Sequence, residues 1–188
     1  YGSTSGVYGD CAGARVPETR TPAPRNARAW RRVDAEQRIR LAGRDGLRAT
    51  VLRIPGIYAE DREGGTPRAR LLRGTPALRA EDDVYTSHIH ADDLARACIA
   101  ALWRGRAQRI VHVSDDTEMR MGDYFDFAAD RYGLPRPPRV SREDARAQLT
   151  PMLMSFMSES RRLDNHRMKR ELRLVLRYPT VAQGLRAG

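Results

Sequence analysis

Three hydroxyls stand near the start of the chain, on Ser3, Thr4 and Ser5, followed by Gly6-Val7-Tyr8-Gly9. A hydroxyl offers one donor and two acceptor sites, enough to position a carbonyl or an alcohol. Further along, Arg28, Arg32 and Glu36 recur every four residues, a spacing that puts all three on one helix face. Like charges one turn apart repel by about a few tenths of a kcal/mol, and Glu36 offsets this from the next turn. A guanidinium stays protonated, so Arg28 cannot cycle a proton near neutral pH. The fork of donors on Arg32 suits a phosphate or a hydroxyl. His90 has an ordinary pKa suited to acid–base work, and Asp92 and Asp93 follow it. Each has a structural competitor: a solvated face for the arginines, a backbone-bonded imidazole for His90, helix caps for the two aspartates.

The elements that must position these groups alternate. Residues 10–26 are rich in Gly, Pro and Thr and read as a loop. A polar helix is predicted over 26–43, with Asn26 as N-cap and Gly43 as stop. Residues 48–54 read as a buried strand ended by Pro55-Gly56, residues 59–66 as a loop, and 67–73 as a short helix. Residues 84–89 read as a strand. Leu94, Ala97, Cys98, Ala101 and Leu102 then mark an amphipathic helix with one buried face. Residues 109–113 read as a strand and 121–132 as a helix ended by Gly133 and Pro135. After the linker Pro135-Arg136-Pro137-Pro138, short helices are predicted over 142–149 and 163–173. Met152, Leu153, Met154, Phe156 and Met157 read as packing. Strand–helix alternation over 48–132 implies an α/β architecture with a mostly parallel sheet.

Bulk properties narrow the partners. The 188 residues carry a net charge of +10, with Lys169 the only lysine. The arginines are spread along the chain among 24 acids, without a basic block interleaved with aromatics, so a nucleic-acid footprint is not expected. A basic nucleic-acid module stays as a competing reading, tested by salt-dependent DNA binding. Cys11 and Cys98 lack metal or redox spacing and are expected to be free in a reducing, cytoplasmic compartment. No apolar run reaches membrane-spanning length. The expected partners are a small-molecule substrate and, as candidate assembly, a homodimer, with no nucleic acid, membrane or metal.

Ser3-Thr4-Ser5-Gly6-Val7-Tyr8-Gly9 resembles the strand end and loop of the atypical and extended short-chain dehydrogenases/reductases, the NAD-dependent epimerase/dehydratase family. The resemblance continues in order through Pro17-Glu18-Thr19 with Pro22 and Pro24, Glu36, Leu52-Arg53-Ile54-Pro55-Gly56-Ile57-Tyr58, Ile89-His90-Ala91-Asp92-Asp93-Leu94-Ala95 and Val111-His112-Val113-Ser114-Asp115-Asp116. In the tail it runs from Ser160-Arg161-Arg162-Leu163-Asp164-Asn165 through Glu171-Leu172 and Tyr178-Pro179-Thr180 to Gly184-Leu185.

The resemblance implies an incomplete Rossmann-like parallel sheet, with the N-terminal half missing, over residues 1–134. A small, mostly helical substrate-side region follows over 135–188, partly interleaved with 55–90. It implies a fragment of an NAD(P)-dependent oxidoreductase or epimerase/dehydratase acting on a small or sugar-like substrate. No strand–glycine-rich turn–helix is present, so the cofactor, NAD or NADP, would be held mainly by the missing half. The chain alone is expected not to bind a dinucleotide, and micromolar NADH binding by these 188 residues would contradict that. Thr4 falls at the catalytic hydroxyl, Arg28 where the family has its tyrosine and Arg32 where it has its lysine. Ser3, Arg32, Pro55, Gly56 and Ile57 fall on the cofactor side, and Ser5, Tyr8, Arg62 and His90 on the substrate side. The general acid/base is left open between Tyr8 and His90. Tyr58-Ala59-Glu60-Asp61-Arg62 replaces the family's Tyr-Gly-Pro-Gly-Arg. The alternative is a non-catalytic dinucleotide-binding sensor or scaffold of the same fold.

Overall fold

Strands alternate with helices in the computed structural model, which describes residues 1–185. Gly2–Thr4 form β1, and Ala27–Ala42 form α1, capped by the Asn26 side chain accepting from Ala29 N at 2.9 Å. Its buried face is Ala29, Val33 and Glu36, which leaves Arg28 and Arg32 exposed beside it. Thr50–Ile54 (β2) and Gly56–Tyr58 (β3) follow, then the short helix Arg68–Leu72 (α2). His88–His90 (β4) leads directly into Ala91–Arg104 (α3), and Arg109–His112 (β5) precedes Met121–Tyr132 (α4).

The central sheet runs β1-β2-β5, all parallel, with Thr4 opposite Ile54 and Val51 opposite Ile110. β3 and β4 form a second parallel pair, with Gly56 opposite His88. This is the expected α/β class with a parallel sheet. The tail closes the core. Met168, Leu172, Leu174 and Leu176 pack on Leu52, Ile89, Val111 and Val113. Leu172→Ala is expected to cost about 2–5 kcal/mol, read from the urea midpoint, because the buried side chain leaves a cavity.

Several expected elements come out differently. Residues 84–89 are not one strand. Tyr85–Thr86 pairs antiparallel with Met119–Arg120, while β4 pairs with β3. The break falls at Ser87, whose carbonyl accepts from Gly56 N and whose hydroxyl accepts from Leu163 N. The helix expected over 163–173 begins only at His166, where Asp164 accepts the His166 N–H at 2.9 Å. Arg162–Leu163 instead pair with Arg15–Val16 inside the expected 10–26 loop. On α3 the buried positions are Asp93 and Ala97, with Leu94, Ala100 and Ala101 half-buried. Cys98 and Leu102 are exposed, so the inferred stripe was rotated. The reason is Asp93. Fully buried, it accepts from Arg177 N and Tyr178 N and pairs with Arg96, which turns the polar side of the first turn inward.

Candidate active site

A cavity of about 630 Å³ opens where β1 and β2 end. Thr4 and Ser5 line it from the first strand, and Pro55, Gly56 and Ile57 from the turn after the second. Thr4 caps the tight turn Ser5–Tyr8 by accepting from Gly6 N at 3.2 Å, which leaves its proton and second lone pair for a ligand. The turn ends at Gly9 with φ +62°, where a Cβ would meet the Ala23 carbonyl oxygen at 2.3 Å, so only glycine fits.

The cavity is electropositive. Arg28, Arg62, Arg70, Arg73 and Arg161 line it, against one carboxylate, Glu159, among the described residues. Arg28 lies over the Phe156 ring, 4.8 Å from its centroid, so a residue expected only to pack forms a wall of the cavity. Arg70 lies over Phe125 at 4.2 Å and donates to the Pro76 carbonyl oxygen. Its buried Nε has no partner, and burial together with neighbouring Arg73 lowers its pKa to about 10. Glu159 is 8% exposed and pairs with Arg161 at 2.8 Å. His88 lines the same cavity, stacked on Tyr124 with centroids 4.3 Å apart. Burial lowers its pKa to about 4, so it is neutral, and its Nδ1 has no partner.

Thr4, Ser5, Arg28, Pro55, Gly56, Ile57 and Arg62 are thus brought together, whereas Ser3, Tyr8, Arg32 and His90 lie elsewhere. Arg32 reaches the Tyr1 hydroxyl at 3.1 Å and the Gly2 carbonyl oxygen at 3.2 Å. His90 caps α3 by accepting from Asp92 N, and its ring stacks on Tyr178. Ser3 donates to Glu36 Oε1 at 2.5 Å and Tyr8 is wholly buried, both within a polar network beneath the cavity.

That network has definite protonation states. His112 Nδ1 lies 2.9 Å from the Asp164 carbonyl oxygen, which can only accept, so Nδ1 carries the proton and Nε2 accepts. The Tyr8 hydroxyl, 2.6 Å from Nε2, therefore donates to it and accepts from Arg53 Nη1. Arg53 grips Glu36 through Nε and Nη2, at 3.1 and 2.6 Å. Burial pushes the Tyr8 pKa up to about 12, which suits this hydrogen-bonded role better than proton exchange at neutral pH. Glu159, Arg70, Arg73 and His88 were not singled out in the sequence, and Arg161 was named only within the tail segment Ser160–Asn165.

The fit to a dinucleotide is partial. Among the described residues no glycine-rich turn joins a strand of the parallel sheet to an α-helix N-terminus, so they offer no pyrophosphate cradle of that kind. Thr4 and the turn Pro55–Ile57 line the cavity without supplying such a cradle.

No protein-family model and no curated protein matches the chain. Solved structures do. A conserved protein of unknown function from Silicibacter pomeroyi is 36% identical over 98% of this chain and 63% of its own, with a TM-score of 0.84. A nucleoside-diphosphate-sugar epimerase from Pseudomonas aeruginosa is 21% identical over 100% of this chain and 64% of its own, with a TM-score of 0.80. UDP-glucuronic acid 4-epimerase from Bacillus cereus, in complex with NAD, is 16% identical over 99% and 58%, with a TM-score of 0.75. The chain therefore has the α/β fold of these proteins over somewhat less than two thirds of their length.

Proposed function

We propose that this chain forms the substrate side of a dinucleotide-dependent oxidoreductase or epimerase/dehydratase whose substrate is an anionic, hydroxyl-bearing small molecule. The observation that carries the reading is the cavity itself. It lies at the carboxyl ends of parallel strands, where such folds take ligands, and holds Thr4 beside five arginines and one carboxylate. A half-buried guanidinium without a carboxylate partner is costly, and an anion would offset that cost at Arg70, with the exposed Arg73 beside it adding attraction. A nicotinamide dinucleotide, when bound, would accept or return a hydride near the Pro55–Ile57 turn.

Within this reading Thr4 Oγ1 holds the reacting alcohol or carbonyl. Glu159, held by Arg161, takes the proton that Arg28 cannot take. Arg28, fixed against Phe156, balances substrate charge. Glu159→Gln is expected to lower kcat about 10²–10⁴-fold with little change in substrate KM, measured in a longer polypeptide that joins this chain to a dinucleotide-binding half. An unchanged kcat would remove Glu159 from the role.

A second reading, a dinucleotide-binding sensor, is motivated by Arg28, whose guanidinium stands where the family resemblance expects the proton donor. NADH binding without turnover across phosphorylated and carboxylated sugars would select it. Turnover abolished by Thr4→Val would select the enzyme.

A further inference from the structure

On the outer face of α3, away from the cavity, Ile99, Leu102 and Trp103 are 58%, 82% and 84% exposed at i, i+3 and i+4. Val175 is 77% exposed, and its carbonyl oxygen accepts from Arg96 on the same helix. Ile99, Ala100 and Trp103 form one wall of a cleft of about 350 Å³, and Arg173 and Leu174 form the other. Arg173 also borders a neighbouring depression of about 390 Å³ lined by Arg106, Arg109, Arg170 and Glu171. Arg96 is paired with Asp93 and Arg109 with Glu171. Arg104 donates to the Leu172 carbonyl oxygen at 2.9 Å, Arg106 adds to the Arg109 hydrogen bond in holding the Glu171 carboxyl below the usual range, and no ion pair among the described residues engages Arg170 or Arg173.

We propose that this face docks an acidic amphipathic helix of a partner protein. Apolar side chains of that helix would sit on Ile99, Leu102 and Trp103, one of them in the cleft, and its carboxylates would meet Arg104, Arg106, Arg170 and Arg173. Charge selects the occupant. A second copy of this chain, itself at +10, would bring arginines against arginines. A bilayer has no side chain to fill a cleft between a helix and a loop. A nucleic acid would use the arginines and leave Ile99, Leu102 and Val175 in water. An exposed tryptophan ringed by arginines has the composition of a binding hot spot, and a stripe at i, i+3, i+4 is how a helix partner is met.

The test uses a fluorescein-labelled helical peptide with leucines at i, i+3, i+4 and i+7 and glutamates elsewhere, titrated with the 188-residue chain. A scrambled peptide of the same composition, phosphatidylserine vesicles and a single-stranded oligonucleotide serve as comparisons. The expected result is saturable binding of the amphipathic peptide, weakened about 10-fold or more by Trp103→Ala. Arg170→Glu with Arg173→Glu should also weaken it and flatten its salt dependence. With Trp30 replaced by Phe, Trp103 emission should shift blue on binding. Equal binding of the scrambled peptide would overturn the proposal, as would indifference to Trp103→Ala or preference for vesicles or oligonucleotide. Self-association of the chain through this face would overturn it, and so would Trp103 emission already blue-shifted in a longer polypeptide containing the chain. Both surface variants keep the core intact, which circular dichroism checks.

Discussion

Glu36→Ala is expected to destabilise the protein by about 3–5 kcal/mol. Arg53 is 2% exposed, and Glu36 is the carboxylate paired with it. Removing Glu36 leaves a buried guanidinium uncompensated and strips the Ser3 hydroxyl of its acceptor. The loss would spread to the site, because the network ties α1, which carries Arg28, to β1, which carries Thr4. Replacing both partners, Glu36→Leu with Arg53→Met, should recover most of the stability, since two apolar groups have no charge to desolvate. Chemical denaturation of the single and double variants checks this. A double variant as unstable as the single one would mean that packing, not uncompensated charge, sets the cost.

The second large effect is on pH. His88 and His112 are both lowered by burial from 6.5 to about 4. Between those values the unfolded state binds two protons that the folded state does not, so their contribution is present above pH 6.5 and lost as pH falls towards 4. Asp115 runs the other way. Burial raises it from 3.8 to about 7, its Oδ1 accepts from Thr117 N, and its Oδ2 has no partner. The stability tied to its neutral form is present at low pH and lost as pH rises through 7. Over pH 4–6.5 one proton offsets one of the two, so the three groups together should remove about 3 kcal/mol on acidification. Asp115→Asn abolishes the offset and should roughly double that loss, to about 7 kcal/mol. Unfolding free energies of both proteins across pH 4–8 check the difference. Parallel curves would mean that Asp115 ionises as an exposed aspartate does.

The sheet was legible in the sequence wherever burial dictated residue type. The run Val51-Leu52 with Ile54 and the run Ile110-Val111 with Val113 have no other use than a covered strand. The stops at Gly43 and Gly133 were legible because each ends a helix in the structure, with Gly133 at φ +63°. The rotated face of α3 was not legible, because periodicity counts apolar residues and cannot know that Asp93 is buried by partners some 84 positions away. The cavity was half legible. Thr4, Arg28 and the Pro55–Ile57 turn come from segments with local signatures. Glu159 and Arg70 are ordinary charged residues until the fold removes their water. Ser3 and Tyr8 were assigned outward because Arg53, which draws them inward with Glu36, sits in an apolar strand pattern where a buried guanidinium has no sequence signal.

The central claim, that the cavity accepts an anionic substrate on its arginines, is tested most directly by calorimetric titration of the 188-residue chain with UDP-glucuronic acid and, separately, with glucose. The expected result is binding of the anion alone, weakening as salt rises and falling about tenfold or more when Arg70 and Arg73 are both replaced by alanine. Equal binding of the neutral sugar, or anion binding indifferent to Arg70 and Arg73, would contradict it.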